Sequence, residues 1–185
     1  MNALIETDRL RLGLPSRDDA AEVARFYTEN RDHLQPWSPT FLPALFSAHF
    51  WRVEAARRQA EYEAGREMRC FVATRNAASR VIGNVSLTQI SRGPFQACTL
   101  GYALAADAQG HGYMVEAVRG AVRFAFEELG LHRVMASYVP RNDRSAAVLR
   151  RAGFTVEGYA RDYLMINGEW EDHVMTAITN PAWNP

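Results

Sequence analysis

The sequence predicts an α/β (α+β) chain: one mixed sheet with helices packed on it. Three observations predict it. Period-two and helical apolar patterns follow one another in the order β-α-α-β-β-β-α-β-α-β-β, without a repeat, low-complexity tract or linker. An apolar run over residues 100–106 passes through Gly110 and Gly112 into a helical pattern. Asn167-Gly168 stands between two strand-like runs, the strongest short hairpin signal.

Taken in order, Leu10, Leu12 and Leu14 alternate with Arg9, Arg11 and Gly13 and make a first strand. Ser16 is placed to cap a helix whose apolar side is Val23, Phe26 and Tyr27. Prolines 36 and 39 break residues 30–39 into a loop or short helix, where Trp37 either plugs the packing or lines a cleft. A second long helix spans 47–64, with Phe50, Val53, Ala56, Ala60 and Tyr62 as its apolar stripe and Gly65 ending it. Strands at 68–73 and 81–87, joined by a turn at 76–80, form an antiparallel hairpin, and a third strand runs over 95–106. The helix over 112–129 sets Met114, Val118, Val122, Ala125 and Leu129 on one face. A strand at 134–139 and a short helix closed by Gly153 precede the last two strands, 154–166 and 170–178, in whose core Tyr159 and Trp170 are expected. Seven strands result.

At 185 residues, 48% hydrophobic and 23% charged, the chain fits one globular domain over residues 1–185. No apolar stretch approaches the roughly 18 residues of a membrane span, and the N-terminal residues lack the basic and apolar regions of a signal peptide. A cytoplasmic protein is expected, with Cys70 and Cys98 as buried reduced thiols. The five histidines have no ligand spacing, so no metal is expected. Net charge is zero but uneven: residues 109–151 carry seven Arg against four acids, residues 152–185 one Arg against five. The middle segment suits a polyphosphate and the last a cationic partner, if neither is simply a solvated surface. No membrane or sequence-specific nucleic-acid partner is expected.

Gln109-Gly110-His111-Gly112-Tyr113-Met114 forms the junction of strand and helix. Free N–H groups and the helix dipole make such a junction an anion cradle, and glycine lets a ligand approach the backbone. The bland alternative is an ordinary strand-to-helix turn. A dinucleotide fingerprint fails, because three strands precede the glycines and the third glycine is missing. A Walker lysine is impossible in a chain without lysine.

Gln109-Gly110-His111-Gly112-Tyr113 resembles the acyl-CoA loop of the GNAT superfamily of N-acetyltransferases, and Asn142-Asp143-Arg144-Ser145 with Ala152-Gly153-Phe154 resembles its next elements. The resemblance is closer to the RimJ/RimL branch, the ribosomal-protein-alanine N-acetyltransferases, on its RimJ side. It is carried by Glu29-Asn30-Arg31, Pro36-Trp37, Leu100-Gly101-Tyr102, His132-Arg133, Asp162-Tyr163-Leu164 and Asp172-His173-Val174. It implies a mostly antiparallel seven-stranded sheet with two splayed central parallel strands, at about 95–105 and 133–139, and helices on both faces. It implies acetyl-CoA as cosubstrate, with the backbone of Tyr102, Ala103 and Leu104 on the pantetheine arm and Gln109, Gly110, His111, Gly112, Tyr113 and Met114 on the pyrophosphate.

The resemblance gives Asn142 a contact to the arm or a water, although Asn is also a good helix cap. Many members place a thiolate-protonating tyrosine where this chain has Leu149. Ser145 is left to hold a water or bond the CoA sulfur, or else simply to bond backbone at a helix start. The glutamate base of many members is also missing, with Thr99 and Leu100 in its place. An α-amino group needs only about 1 kcal/mol to deprotonate at pH 7, against about 4.6 kcal/mol for lysine, so an N-terminal acceptor is favoured. Asn84 and Thr99 are candidates to hold a water for it, and Trp37 and Tyr163, with acidic Asp162, Glu169, Glu171 and Asp172, suit a basic ribosomal-protein terminus. A small amine as acceptor, or a non-catalytic acyl-CoA-binding ribosome-assembly role, are the alternatives.

Overall fold

The computed structural model describes residues 1–184, Ala78 in its backbone only. Its elements are β1 (Asn2–Glu6), β2 (Leu10–Leu14), α1 (Ala20–Glu29), α2 (Arg31–Leu34), α3 (Ala48–Glu63), β3 (Met68–Thr74), β4 (Ala77–Ser91) and β5 (Ala97–Leu104). There follow α4 (Tyr113–Glu127), β6 (Arg133–Tyr138), α5 (Asp143–Ala152), β7 (Thr155–Ile166) and β8 (Glu169–Thr179). All eight strands join one sheet in the order β1-β2-β3-β4-β5-β6-β8-β7, and β5–β6 is its parallel pair. Seven strands were expected. The eighth, β1, pairs antiparallel with β2, and its exposed Asn2, Ala3 and Glu6 leave too little apolar alternation to read as a strand. The turn between β3 and β4 is also tighter than expected, because β4 already begins at Ala77.

Helices cover both faces. Phe71, Asn84 and Ala103 lie side by side across β3, β4 and β5. On that face the Phe71 ring meets Phe26 of α1 and Trp51 of α3 edge-on, at 6.5 and 5.4 Å. Alternation sends Tyr102 to the opposite face, where α5 receives it. The stripe of α3 is rotated from the expected one: Trp51 and Ala55 are buried and Val53 is exposed. The cause is the Trp51 ring, stacked 5.3 Å from Tyr27 and wedged against Phe71. Burying a ring of this size contributes about 2–3 kcal/mol, enough to set the rotation of a helix with no strong stripe of its own.

Asn167 and Gly168 take positive φ (49° and 89°) and turn β7 into β8 as expected. Tyr159 and Trp170 of that hairpin are not core residues: Tyr159 lies on the edge strand β7, where almost every side chain meets solvent, and Trp170 lies at the start of β8, before its pairing with β6 begins at Val174. Among the described residues no helix is long and apolar enough to cross a membrane.

Candidate active site

The site begins where the sheet comes apart. β5 and β6 pair in register at Ala97–Arg133, Cys98–Val134 and Thr99–Met135, and there the pairing ends. β5 continues to Leu104 bonded to β4 alone, while β6 continues to Tyr138 bonded to β8 alone. Between them Tyr102 and Leu104 turn their backbone groups to an edge without a strand beside it, while Ala103, expected to share that edge, turns its own to Asn84 of β4. An extended arm carrying amide groups can take the place of that strand.

At the C-terminal end of β5 stands the glycine loop. Gly110 (φ 82°) and Gly112 (φ 76°) hold left-handed conformations, and a Cβ on Gly110 would meet nothing within 4 Å, so its surroundings are open. Gly112 precedes the first turn of α4, which no side chain caps, leaving those N–H groups for a ligand. Gln109 donates from Nε2 to His33 Nε2 at 2.9 Å. The His111 carbonyl accepts from Arg9 Nη1 at 3.0 Å, and the Arg9 guanidinium lies 4.9 Å from the Tyr113 ring centre. The Met114 side chain is in the core, so only its backbone faces the loop.

Two residues that fix this loop escaped the sequence reading. Buried Asn30 accepts from Ala106 N at 2.9 Å and donates to Phe26 O at 2.9 Å, tying the end of α1 to the approach to the glycines. Glu116 accepts from the Thr7 hydroxyl (2.6 Å), Arg9 N (2.9 Å) and Arg9 Nε (2.6 Å). Burial alone would raise its carboxyl, but these donors and the Arg9 charge hold it below the ordinary range. Asn30 belongs to the Glu29-Asn30-Arg31 motif, but nothing local signals that its partner lies 76 residues on.

Above the opened stretch of β5 sits the first turn of α5. Asn142 Oδ1 accepts from Ser145 N at 3.0 Å, a helix cap, which leaves its amide Nδ2 without a partner among the described residues. Ser145 Oγ stands 2.7 Å from the Tyr102 hydroxyl, which is also 3.2 Å from the Ser145 carbonyl. Burial pushes the Tyr102 phenol up to about 12, so it stays protonated. Leu149, one turn further on, is buried in the core.

On the other face Asn84 reaches toward the Tyr27 hydroxyl (3.5 Å), and Thr99 donates to Gln89 Oε1 (2.8 Å). Asn84 lies beside Ala103, four residues along β5 from Thr99, or about 13 Å, so one water cannot touch both. Trp37, 38% exposed, has its ring centre 5.4 Å from the Arg141 guanidinium, whose Nη1 pairs with Glu171 at 2.7 Å. Asn167 N donates to Ser38 O at 2.8 Å, so the Trp37 segment is strapped to the tip of the β7–β8 hairpin. Tyr163 is half exposed, 5.4 Å from the His173 ring. Of the expected acids, Glu171 is neutralised by Arg141, while Asp172 accepts from Tyr159 Oη (2.7 Å) and Asp162 N (2.9 Å).

Both thiols are fully buried, as expected, and burial pushes each up to about 12. Neither is a nucleophile in the folded chain. The arrangement as a whole suits an elongated ligand with an anionic end on the glycine loop, an amide-bearing arm along β5 and a reactive head beneath Ser145.

Comparison with known proteins agrees with that geometry. Residues 9–155 match the Acetyltransferase (GNAT) domain. The chain is 38% identical over 181 residues to the [ribosomal protein uS5]-alanine N-acetyltransferase of Escherichia coli (strain K12), covering 98% of this chain and 93% of that protein. The crystal structure of the ribosomal-protein-S5-alanine acetyltransferase from Vibrio fischeri superposes with a TM-score of 0.91 at 37% identity, over 97% of this chain and 98% of that one. Mycobacterium smegmatis RimJ, in complex with CoA-disulfide, superposes with a TM-score of 0.85 at 27% identity, over 92% and 81%. The chain is an acetyltransferase of the GNAT family, similar to the RimJ type of ribosomal-protein-alanine N-acetyltransferase.

Proposed function

We propose that this enzyme acetylates the N-terminal alanine of a small-subunit ribosomal protein, uS5 by analogy with its relatives, using acetyl-CoA in the cytoplasm. The observation that carries the proposal is the split after Thr99 and Met135, with the glycine loop at its far end and Ser145 above it. When bound, acetyl-CoA supplies an activated thioester. The loop from Gln109 to Met114 holds the pyrophosphate through backbone N–H groups, with the glycines giving access and the local excess of arginine favouring the anion. The free edges of Tyr102 and Leu104 pair with the pantetheine amides, while Ala103 between them stays bonded to β4, and Asn142 Nδ2 adds a donor beside them.

Transfer is direct. The neutral α-amine attacks the carbonyl carbon, and the Leu104 N–H supports the developing oxyanion. Collapse forms the amide and breaks the C–S bond, leaving the electron pair on sulfur, where the Ser145 hydroxyl donates a hydrogen bond. The ammonium proton departs to water on the acceptor face, held near Thr99 at the base of the split or near Asn84 further along it. No acyl-enzyme is formed, because both thiols are buried and neutral. Trp37 and Tyr163 flank the incoming peptide, and Asp162 and Glu169 attract its basic residues.

The test is steady-state release of CoA thiol with two peptides of uS5-like sequence. One begins with a free alanine; the other has a blocked N-terminus and an internal lysine. Turnover confined to the first is expected. Turnover with the second alone, or with small amines in preference to either, would overturn the assignment.

A further inference from the structure

We infer that Tyr102 is a positioning residue: its hydroxyl donates to Ser145 Oγ and so turns the Ser145 hydrogen toward the sulfur of bound CoA. The inference rests on the assignment of Ser145 to that sulfur. Tyr102 projects from β5 at the middle of the opened stretch and Ser145 from the first turn of α5, so the pair bridges the two elements that enclose the thiol.

At 2.7 Å either hydroxyl can donate to the other, and the inference assigns the hydrogen of that contact to Tyr102. Tyr102 has one hydrogen and two acceptors within reach, Ser145 Oγ at 2.7 Å and Ser145 O at 3.2 Å. The first distance is the usual one for O–H···O and the second is long. Were Tyr102 to donate to the carbonyl, Ser145 would donate back to Tyr102, and the pair would close on itself with nothing for the sulfur. Donation to Oγ instead leaves the serine hydrogen free. Ser145 Oγ has no other partner among the described residues, and Ser145 N is held by Asn142, so the serine backbone is fixed and only its hydroxyl rotates. A phenol pushed up to about 12 by burial stays a donor through the neutral range. Leu149 shows why the strand supplies the phenol: that place on α5 is filled by an apolar side chain in the core.

The inference is read from CoA itself, without an acceptor. A donor to the thiolate lowers the pKa of the bound thiol, which is followed by thiolate absorbance as pH is raised at saturating CoA, with free CoA as reference. In the unaltered protein the bound thiol should titrate about one unit below free CoA, a tenfold effect. Tyr102→Phe and Ser145→Ala should each remove most of that shift, and the double variant should remove no more than Ser145→Ala alone. In turnover, Tyr102→Phe should lower kcat about tenfold and leave KM for acetyl-CoA within about twofold. Urea midpoints of the variants report that they fold.

A Tyr102→Phe thiol that titrates like the unaltered protein overturns the inference, as does a double variant whose losses add. A Ser145→Ala thiol that titrates normally removes Ser145 from the sulfur, and the inference falls with it. Failure of the alanine peptide as acceptor appears only in turnover, so it is distinguishable from all of these.

Discussion

Asn30 and Ala106 are 76 residues apart, yet one hydrogen bond of 2.9 Å, Ala106 N to Asn30 Oδ1, joins them. The same side chain donates to Phe26 O at 2.9 Å, so a single buried amide satisfies the end of α1 and the start of the turn into the glycine loop. Replacing it with alanine leaves Ala106 N unsatisfied. Asn30→Ala should lower the unfolding free energy by about 1–3 kcal/mol, read from urea unfolding, and should raise KM for acetyl-CoA by loosening the loop.

Gly112 is a second point of control. Its φ of 76° suits glycine, and the nearest atom to an added Cβ, Arg9 Nη2 at 3.6 Å, is an ordinary contact. Strain, not a clash, therefore sets the effect of substitution. Gly112→Ala should destabilise the fold or the bound state by about 1–2 kcal/mol, and calorimetric titration with CoA should show weaker binding.

Glu116 ties stability to pH. Its carboxyl is held below the ordinary glutamate range, so it contributes stability that is present above the unfolded value, about 4.3, and lost as pH falls through the folded value. Asp19, Glu22 and Glu54 shift in the same direction. Urea midpoints between pH 7 and pH 3 should fall most steeply below about pH 4.3, and Glu116→Gln should be less stable at pH 7 and flatter in acid.

The thiols supply a negative test of direct transfer. With both raised to about 12 by burial, the folded enzyme should resist alkylation at pH 8 and keep its acetyl transfer activity, and both cysteines should react once urea unfolds it. Loss of activity on modification of the folded protein would contradict the absence of an acyl-enzyme.

Trp37 should act on the acceptor alone. It touches Arg141, on the side of the β7–β8 hairpin, and it is exposed. Trp37→Ala should raise KM for the peptide about three- to tenfold without changing KM for acetyl-CoA.

The local features were legible in the sequence: the glycines where the backbone needs positive φ, the Asn142 cap, the Asn167-Gly168 turn and the alternation of β2. What escaped was set by contacts distant in sequence. Trp51 turned α3 because Phe71 and Tyr27 wait for it, Tyr159 was left in solvent on the edge strand and Trp170 beyond the reach of β6, and Tyr102 found Ser145 43 residues away. Periodicity reports which side of an element is apolar, and it is silent about which partner that side meets.

The acceptor assignment is tested most directly by mass spectrometry of ribosomal-protein N-termini from cells with and without this enzyme. One small-subunit protein, uS5, should carry an acetylated N-terminal alanine only when the enzyme is present. Identical N-termini in both samples, or acetyl groups that change only on lysine side chains, would contradict it.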